Sequence, residues 1–142
     1  MKKIYFAFSV MLLIGTVAIV QADEELPEWV TRAEEAWVEE GVIYARGAAR
    51  MSTIAMSSST ANSRARTNLS RALANGEITG YAAVPADTKT RTTFIYNGKS
   101  VVVGDLTVKD TFADGDGYVY VLLSCTGAEK PSIMNNAQRT NR

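Results

Sequence analysis

Few residues in this chain can do chemistry, and their types limit that chemistry more than their positions do. Histidine is absent, so there is no imidazole general base, no Ser/His/Asp or Cys/His arrangement and no common transition-metal cluster. Cys125 is the single cysteine. It could be an isolated nucleophile at the end of a strand, but it reads better as a small structural hydrophobe. Asp114 and Asp116 in the run DGDG look like part of a calcium loop. The first ligand position would be Phe112 and the last Leu123, neither of which coordinates, so a turn is expected there. Tyr81, Tyr96, Tyr118 and Tyr120 could form an aromatic platform, yet Arg91, Lys99 and Lys109 are too scattered to make a nucleic-acid surface. No glycine-rich loop opens a helix to cradle a phosphate. A paired-carboxylate hydrolase stays open on spacing alone, although no acid lies on the longest helix and acids at turns are expected to be solvated. The chemistry points to a protein that is not an enzyme and has no cofactor and no metal.

The elements that must position these residues centre on residues 57–76, SSSTANSRARTNLSRALANG. Ile54, Ser58, Ala61, Ala65, Leu69, Ala72 and Leu73 recur at three- and four-residue steps, which predicts one long helix with a stripe of small and branched side chains. Ser57 to Thr60 offer side-chain oxygens to the first turn, and Asn75 and Gly76 tolerate positive φ at the end. A helix this poor in bulky residues needs a sheet to lie on. After Gly76 the period changes to two. Residues 78–84, 90–96, 99–108 and 118–125 read as strands, with Asn97-Gly98 as the strongest hairpin signal. Val42–Ala49 is a further strand, whose Gly47 marks a bulge or a close approach by the helix. Pro27 and the spacing of Trp29, Val30, Ala33, Ala36 and Trp37 predict a short amphipathic helix over 28–40, ended by Gly41. The fold class is α+β: an antiparallel sheet of about four to five strands, one long helix packed on it, and the short N-terminal helix.

Residues 1–22 read as a cleaved signal peptide, with Lys2 and Lys3, an apolar run and small residues at Val20 and Ala22. The expected product is periplasmic, with a secreted or surface-associated location as the variant, and it has no stable membrane insertion after cleavage. Residues 23–126 form one domain and 127–142 a flexible tail. Losing Lys2 and Lys3 leaves 13 of the 15 basic residues against 15 acidic ones, so no general attraction to nucleic acid follows.

Charge is nevertheless segregated. Residues 23–40 hold eight acids against Arg32 alone, and residues 41–76 hold five arginines and no acid. Two solvated faces of a monomer would explain this, with exposed pairs contributing about 0 to 1 kcal/mol each. A sharper reading sets the acidic segment of one subunit on the basic helix of the next. The interface residues of that reading are Trp29, Glu34, Glu35 and Trp37 against Arg64, Arg66 and Arg71. The tryptophans could equally anchor their segment on its own domain. Val101 to Val103 and Val119 to Leu123 are apolar at consecutive positions, so both faces of two strands avoid water. One helix covers one face. The other calls for the tryptophan segment, the tail or another subunit.

Pro27-Glu28-Trp29-Val30, the VIYARGAA strand, the helix holding Ala61, Arg64, Ala65, Leu69 and Ala72, and VKDTFADGDGYVYVLL together resemble the Lpp-twenty lipoprotein family. That family includes the flagellar protein FlgP and has a fold similar to the N-terminal domain of FlgT. The resemblance implies an envelope protein without an active site, of the kind that builds rings or discs around the flagellar rod. The lipidation cysteine of the family is missing, since Asp23 follows the expected cleavage point. The chain therefore reads as an exported structural or interaction protein and homo-oligomer of a flagellum-associated periplasmic assembly, with other flagellar or envelope proteins as further partners. The alternative is a monomeric periplasmic binding module for a glycan or peptide.

Overall fold

The computed structural model of the chain describes residues 25–134. The expected signal peptide and residues 135–142 of the expected tail lie outside the described residues. The fold is α+β. Its elements run α1 (Glu28–Thr31), β1 (Ala36–Glu39), β2 (Val42–Ala49), α2 (Ile54–Ala74), β3 (Arg91–Tyr96), β4 (Lys99–Gly104), β5 (Thr107–Ala113), β6 (Val119–Cys125), β7 (Gly127–Ala128) and β8 (Ser132–Ile133). Instead of one sheet there are two, each of four antiparallel strands, in the orders β1-β2-β6-β5 and β3-β4-β7, with β8 also on β4.

The long helix begins three residues before the expected serines. Thr53 caps it, its hydroxyl accepting from the Met56 amide at 3.1 Å. Ser57 turns inward instead, and its buried hydroxyl accepts from the Met51 amide at 2.8 Å. The helix ends as its sequence indicates. Gly76 has φ +70°, its amide donates to the Leu73 carbonyl and that of Glu77 to the Ala72 carbonyl, which closes the two orphan carbonyls in the left-handed glycine motif. The buried stripe is Ser57, Ala61, Ala65, Leu69, Ala72 and Leu73, while Ile54 lies outside it and is exposed.

That stripe rests on one face of the first sheet, against the alternating Ile43, Ala45, Gly47 and Ala49 of β2 and Val119, Val121, Leu123 and Cys125 of β6. Gly47 is the point of closest approach. A Cβ built there would come within 2.1 Å of the Ala61 carbonyl oxygen and 2.4 Å of the Ala65 nitrogen, so only hydrogen fits between the strand and helix backbones. The further half of the helix, Leu69 and Leu73, packs into a second part of the core with Val101 and Val103 of β4.

The two sheets share one long, bent hairpin. β4 leads into β5 through Asp105 and Leu106, and β6 leads into β7 through Thr126. The pairing Thr107↔Ser124 on one side of the bend and Gly104↔Gly127 on the other is the same register, so the hairpin folds over without slipping. Asp105 makes the bend. It has φ +46°, and its carboxylate accepts from the amides of Lys89 and Thr90 and the Thr90 hydroxyl. The Thr90 amide has the largest effect and burial, which opposes it, the second; with the Lys89 amide and the Thr90 hydroxyl added, the carboxyl is held below the ordinary carboxylate range. Thus the second sheet curls around the far end of the helix.

Three segments differ from expectation. The helix over 28–40 is one turn, Glu28–Thr31, followed by strand β1. The four-residue spacing of Trp29, Ala33 and Trp37 fits both periods over so short a run, and pairing with β2 buries Ala36 and Trp37, which an isolated helix could not do. Glu40 and Gly41, at φ +52° and +83°, form the two-residue hairpin turn where a helix stop was expected. Residues 78–84 form no strand; the Ala82 amide donates to Gly41 and its carbonyl accepts from Ala128, so the segment stitches the two sheets with single bonds. Within the expected tail, Gly127–Ala128 and Ser132–Ile133 pair with β4. The Asn97-Gly98 hairpin forms as read, at φ +50° and +77°. So does the turn at Asp114, whose carboxylate accepts from the amides of Asp116 and Tyr118.

Candidate interaction surface

The face of the first sheet turned away from the helix carries Trp37 of β1, Tyr44 and Arg46 of β2, Tyr120 and Leu122 of β6, and Asp110 and Phe112 of β5. Arg46, Leu122 and Asp110 lie in one row across three strands. The N-terminal segment is tied to both ends of that row. The Arg46 guanidinium is 3.0, 3.3 and 2.6 Å from the carbonyls of Trp29, Val30 and Arg32, and the Trp29 indole N–H donates to Asp110 at 3.3 Å. A guanidinium under the last carbonyls of a one-turn helix does the work of a C-cap. The segment therefore lies over Leu122, which is buried, and Val30 is buried with it. Both apolar faces of β6 are thus covered from within the protomer, by α2 on one side and by the tryptophan segment on the other.

The residues expected at an interface are distributed over this face and the helix beside it. Trp37 is only 6% exposed; it stacks on Tyr44 with ring centroids 5.9 Å apart and has the Arg32 guanidinium 4.6 Å above it, so it anchors the domain and offers nothing outside. Trp29 is half-buried on Asp110. Glu34 pairs with Arg32 at 3.1 Å. Glu35 meets Arg71 at 3.4 Å, and Arg71 also reaches Glu77 at 3.4 Å and donates to the Asn68 side-chain Oδ1 at 2.9 Å. Arg64 donates to the Ala48 carbonyl at 2.9 Å, and Arg66 to Asn62 at 3.1 Å while lying 6.0 Å from the Phe94 ring. The acidic and basic segments therefore meet inside one chain through one partly exposed pair, Glu35 with Arg71, worth about 0 to 1 kcal/mol.

Beyond the pairing with β1, β2 runs on to Ala49 paired with β6 on one side only. Arg64 and Asn68 reach down from the helix to its carbonyls at Ala48 and Arg46. A cleft of about 340 Å³ opens there, lined by Glu35, Arg46, Arg64, Asn68 and Tyr120 among others. The Tyr120 hydroxyl is pushed up, by burial first and then by the nearby Asp114 carboxylate. The cleft holds cations, a carboxylate and an amide, and it can bind polar groups. No serine, threonine or cysteine lines it. Cys125 lies elsewhere, buried under α2, and burial pushes its thiol up to about 12. Among the described residues no group of three or more acidic or cysteine side chains could hold a metal ion, and no helix is long and apolar enough to cross a membrane.

The second sheet is less well covered. Its inner side chains, Val101 and Val103, are fully buried, but the outer ones opposite are Thr93, Ile95 and Val102, with Ile95 41% exposed and Val102 half-buried. Ile133 at its far side is 77% exposed. Among the described residues β3 forms a free edge of this sheet. Sequence reasoning missed that edge and the part played by Arg46. The signal for the edge is RTTFIY, six residues rich in β-branched and aromatic types with a charge only at the first. Arg46 carries no local signal, because its partners lie 14 to 17 positions away. No family model matches the chain, and neither the curated proteins nor the solved structures hold a match to it.

Proposed function

We propose that this chain is an exported, non-enzymatic structural protein that works by associating with copies of itself, as a subunit of a flagellum-associated periplasmic assembly. One observation carries the self-association: the exposed Ile95, the half-buried Val102 and a strand edge that no strand of the described residues pairs come together on the second sheet at β3. The leader-like N-terminus supports export, and the likeness to the Lpp-twenty family supports the flagellar setting. The charge division contributes less than its sequence pattern suggests, because Glu35 and Arg71 already satisfy one another.

Light scattering on residues 23–142 after size exclusion tests this. A mass above that of one chain, rising with concentration, is the expected result; a strictly monomeric species at every concentration would defeat the proposal. The cleft beside β2 supports a second reading, a monomeric binding module for a peptide or glycan. A saturable change in tryptophan emission on adding such a ligand to a monomeric sample is what that reading requires.

A further inference from the structure

The free edges of the two sheets are not treated alike. β1 is four residues long and carries Glu39. β5 is longer, but its pairing is bulged between Val108 and Asp110, and Lys109 and Asp110 place charges at its middle. These are the devices by which soluble proteins keep sheet edges from pairing. β3 has none of them. It pairs with β4 in unbroken register over all six residues, it holds neither proline nor glycine, and its one charge, Arg91, is at the end and engaged with Glu129.

The main-chain groups of that edge can be assigned. The Asn97-Gly98 loop closes on the Tyr96↔Lys99 pair, and the Thr90 carbonyl accepts from the Asp105 amide. Thr92, Phe94 and Tyr96 therefore direct their amides and carbonyls to β4, and Arg91, Thr93 and Ile95 direct theirs outward, where no strand of the described residues meets them.

We propose that β3 pairs with β3 of a second copy, antiparallel about a two-fold axis at Thr93, so that the second sheets of both copies become one. This rests on the self-association proposed above and names its interface. Charge limits the register. Centring on Thr93 places Arg91 of each copy opposite Ile95 of the other and keeps the two arginines at opposite ends. Centring on Arg91, or a parallel in-register pairing, would set them face to face, which is unfavourable. Centring on Thr93 also pairs Arg91 through Ile95 of the two copies and joins the exposed Ile95 side chains to a shared outer face.

Two substitutions test this with the chain otherwise intact. Thr93→Pro removes an amide that points to solvent in the protomer, a position where edge strands accept proline, so the monomer is expected to fold. Two hydrogen bonds are lost at the axis, and dimer dissociation should rise by about thirtyfold. Thr93→Cys places two sulfurs on a directly opposed pair whose Cα atoms are about 5.5 Å apart, within disulfide reach. Under mild oxidation it should cross-link rapidly, and Thr111→Cys, on the bulged edge, should not. A Thr93→Pro protein that is folded by circular dichroism and as dimeric as the parent would overturn the inference, as would equal cross-linking of the two cysteine variants. If the parent is oligomeric in either of those cases, the proposed function survives and only this interface falls. A parent that is monomeric throughout removes both.

Discussion

Replacing Gly47 by alanine should be among the most damaging single changes available in this chain. The added Cβ would lie 2.1 Å from the Ala61 oxygen, 2.4 Å from the Ala65 nitrogen and 3.0 Å from the Ala65 Cα. The first two are more than about 1 Å inside the distance at which non-bonded atoms attract. All three are backbone atoms, so no rotamer change relieves the clash; the helix must lift from β2 or the strand must bow away. Either motion opens the contacts around Ala49, Ala61 and Ala65, which are fully buried. Overpacking by one methyl in a rigid core costs about 1 to 3 kcal/mol, and backbone on both sides puts this case at about 3 kcal/mol or above. Against a total of about 5 to 15 kcal/mol, that is a large fraction. Urea unfolding followed by tryptophan emission, at one fixed protein concentration, should show the midpoint lowered by about 1 to 3 M with the slope unchanged. Gly115→Ala is the control, because nothing lies within 4 Å of its added Cβ. A Gly47→Ala midpoint indistinguishable from that of Gly115→Ala would refute the helix-on-strand contact described here.

Other perturbations separate the remaining parts of the account. Arg46→Met keeps the stem but removes the bonds to the carbonyls of Trp29, Val30 and Arg32; it should cost about 1.5 to 3 kcal/mol, shift tryptophan emission to the red and speed tryptic cleavage after Arg32. Unchanged cleavage would mean that the segment is held by something else. Cys125 should resist thiol reagents until the protein unfolds. Its thiol goes from an ordinary value of 9.0 to about 12 in the fold, so above pH 9 the unfolded state sheds the proton first, and stability present below that pH is lost as pH rises toward 12. Tyr120, raised from 10.0, adds loss of the same sign at the alkaline end. Cys125→Ala should flatten the decline measured by urea midpoints between pH 9 and 11, and an identical slope in both proteins would contradict this.

Local chemistry made parts of the fold legible. Asn97-Gly98 needs positive φ at two positions and formed its hairpin; Gly76 closed the helix; and Gly47, out of place in a strand, marked the helix's approach. Segments whose state is decided by distant partners were not legible. Residues 28–40 carry a spacing that serves a helix or a strand, and pairing of Ala36 with Ala45 decided it. Residues 78–84 have the alternation of a strand but lie between two sheets, where one bond on each side at Ala82 replaces a ladder. The bend that divides the expected 99–108 strand depends on Asp105 meeting Lys89 and Thr90, a contact no local pattern announces. On the candidate surface, charge counting found the arginines of the helix but not their partners. Arg64 and Asn68 serve an open stretch of β2, and that stretch exists only because β1 is short.

Amide hydrogen exchange read residue by residue across a dilution series tests self-association through β3 most directly. The amides of Thr93 and Ile95 should exchange slowly in concentrated protein and approach the rate of exposed backbone on dilution, while those of Thr92 and Phe94, bonded within the protomer, stay protected throughout. Fast exchange at Thr93 and Ile95 at every concentration would contradict the account.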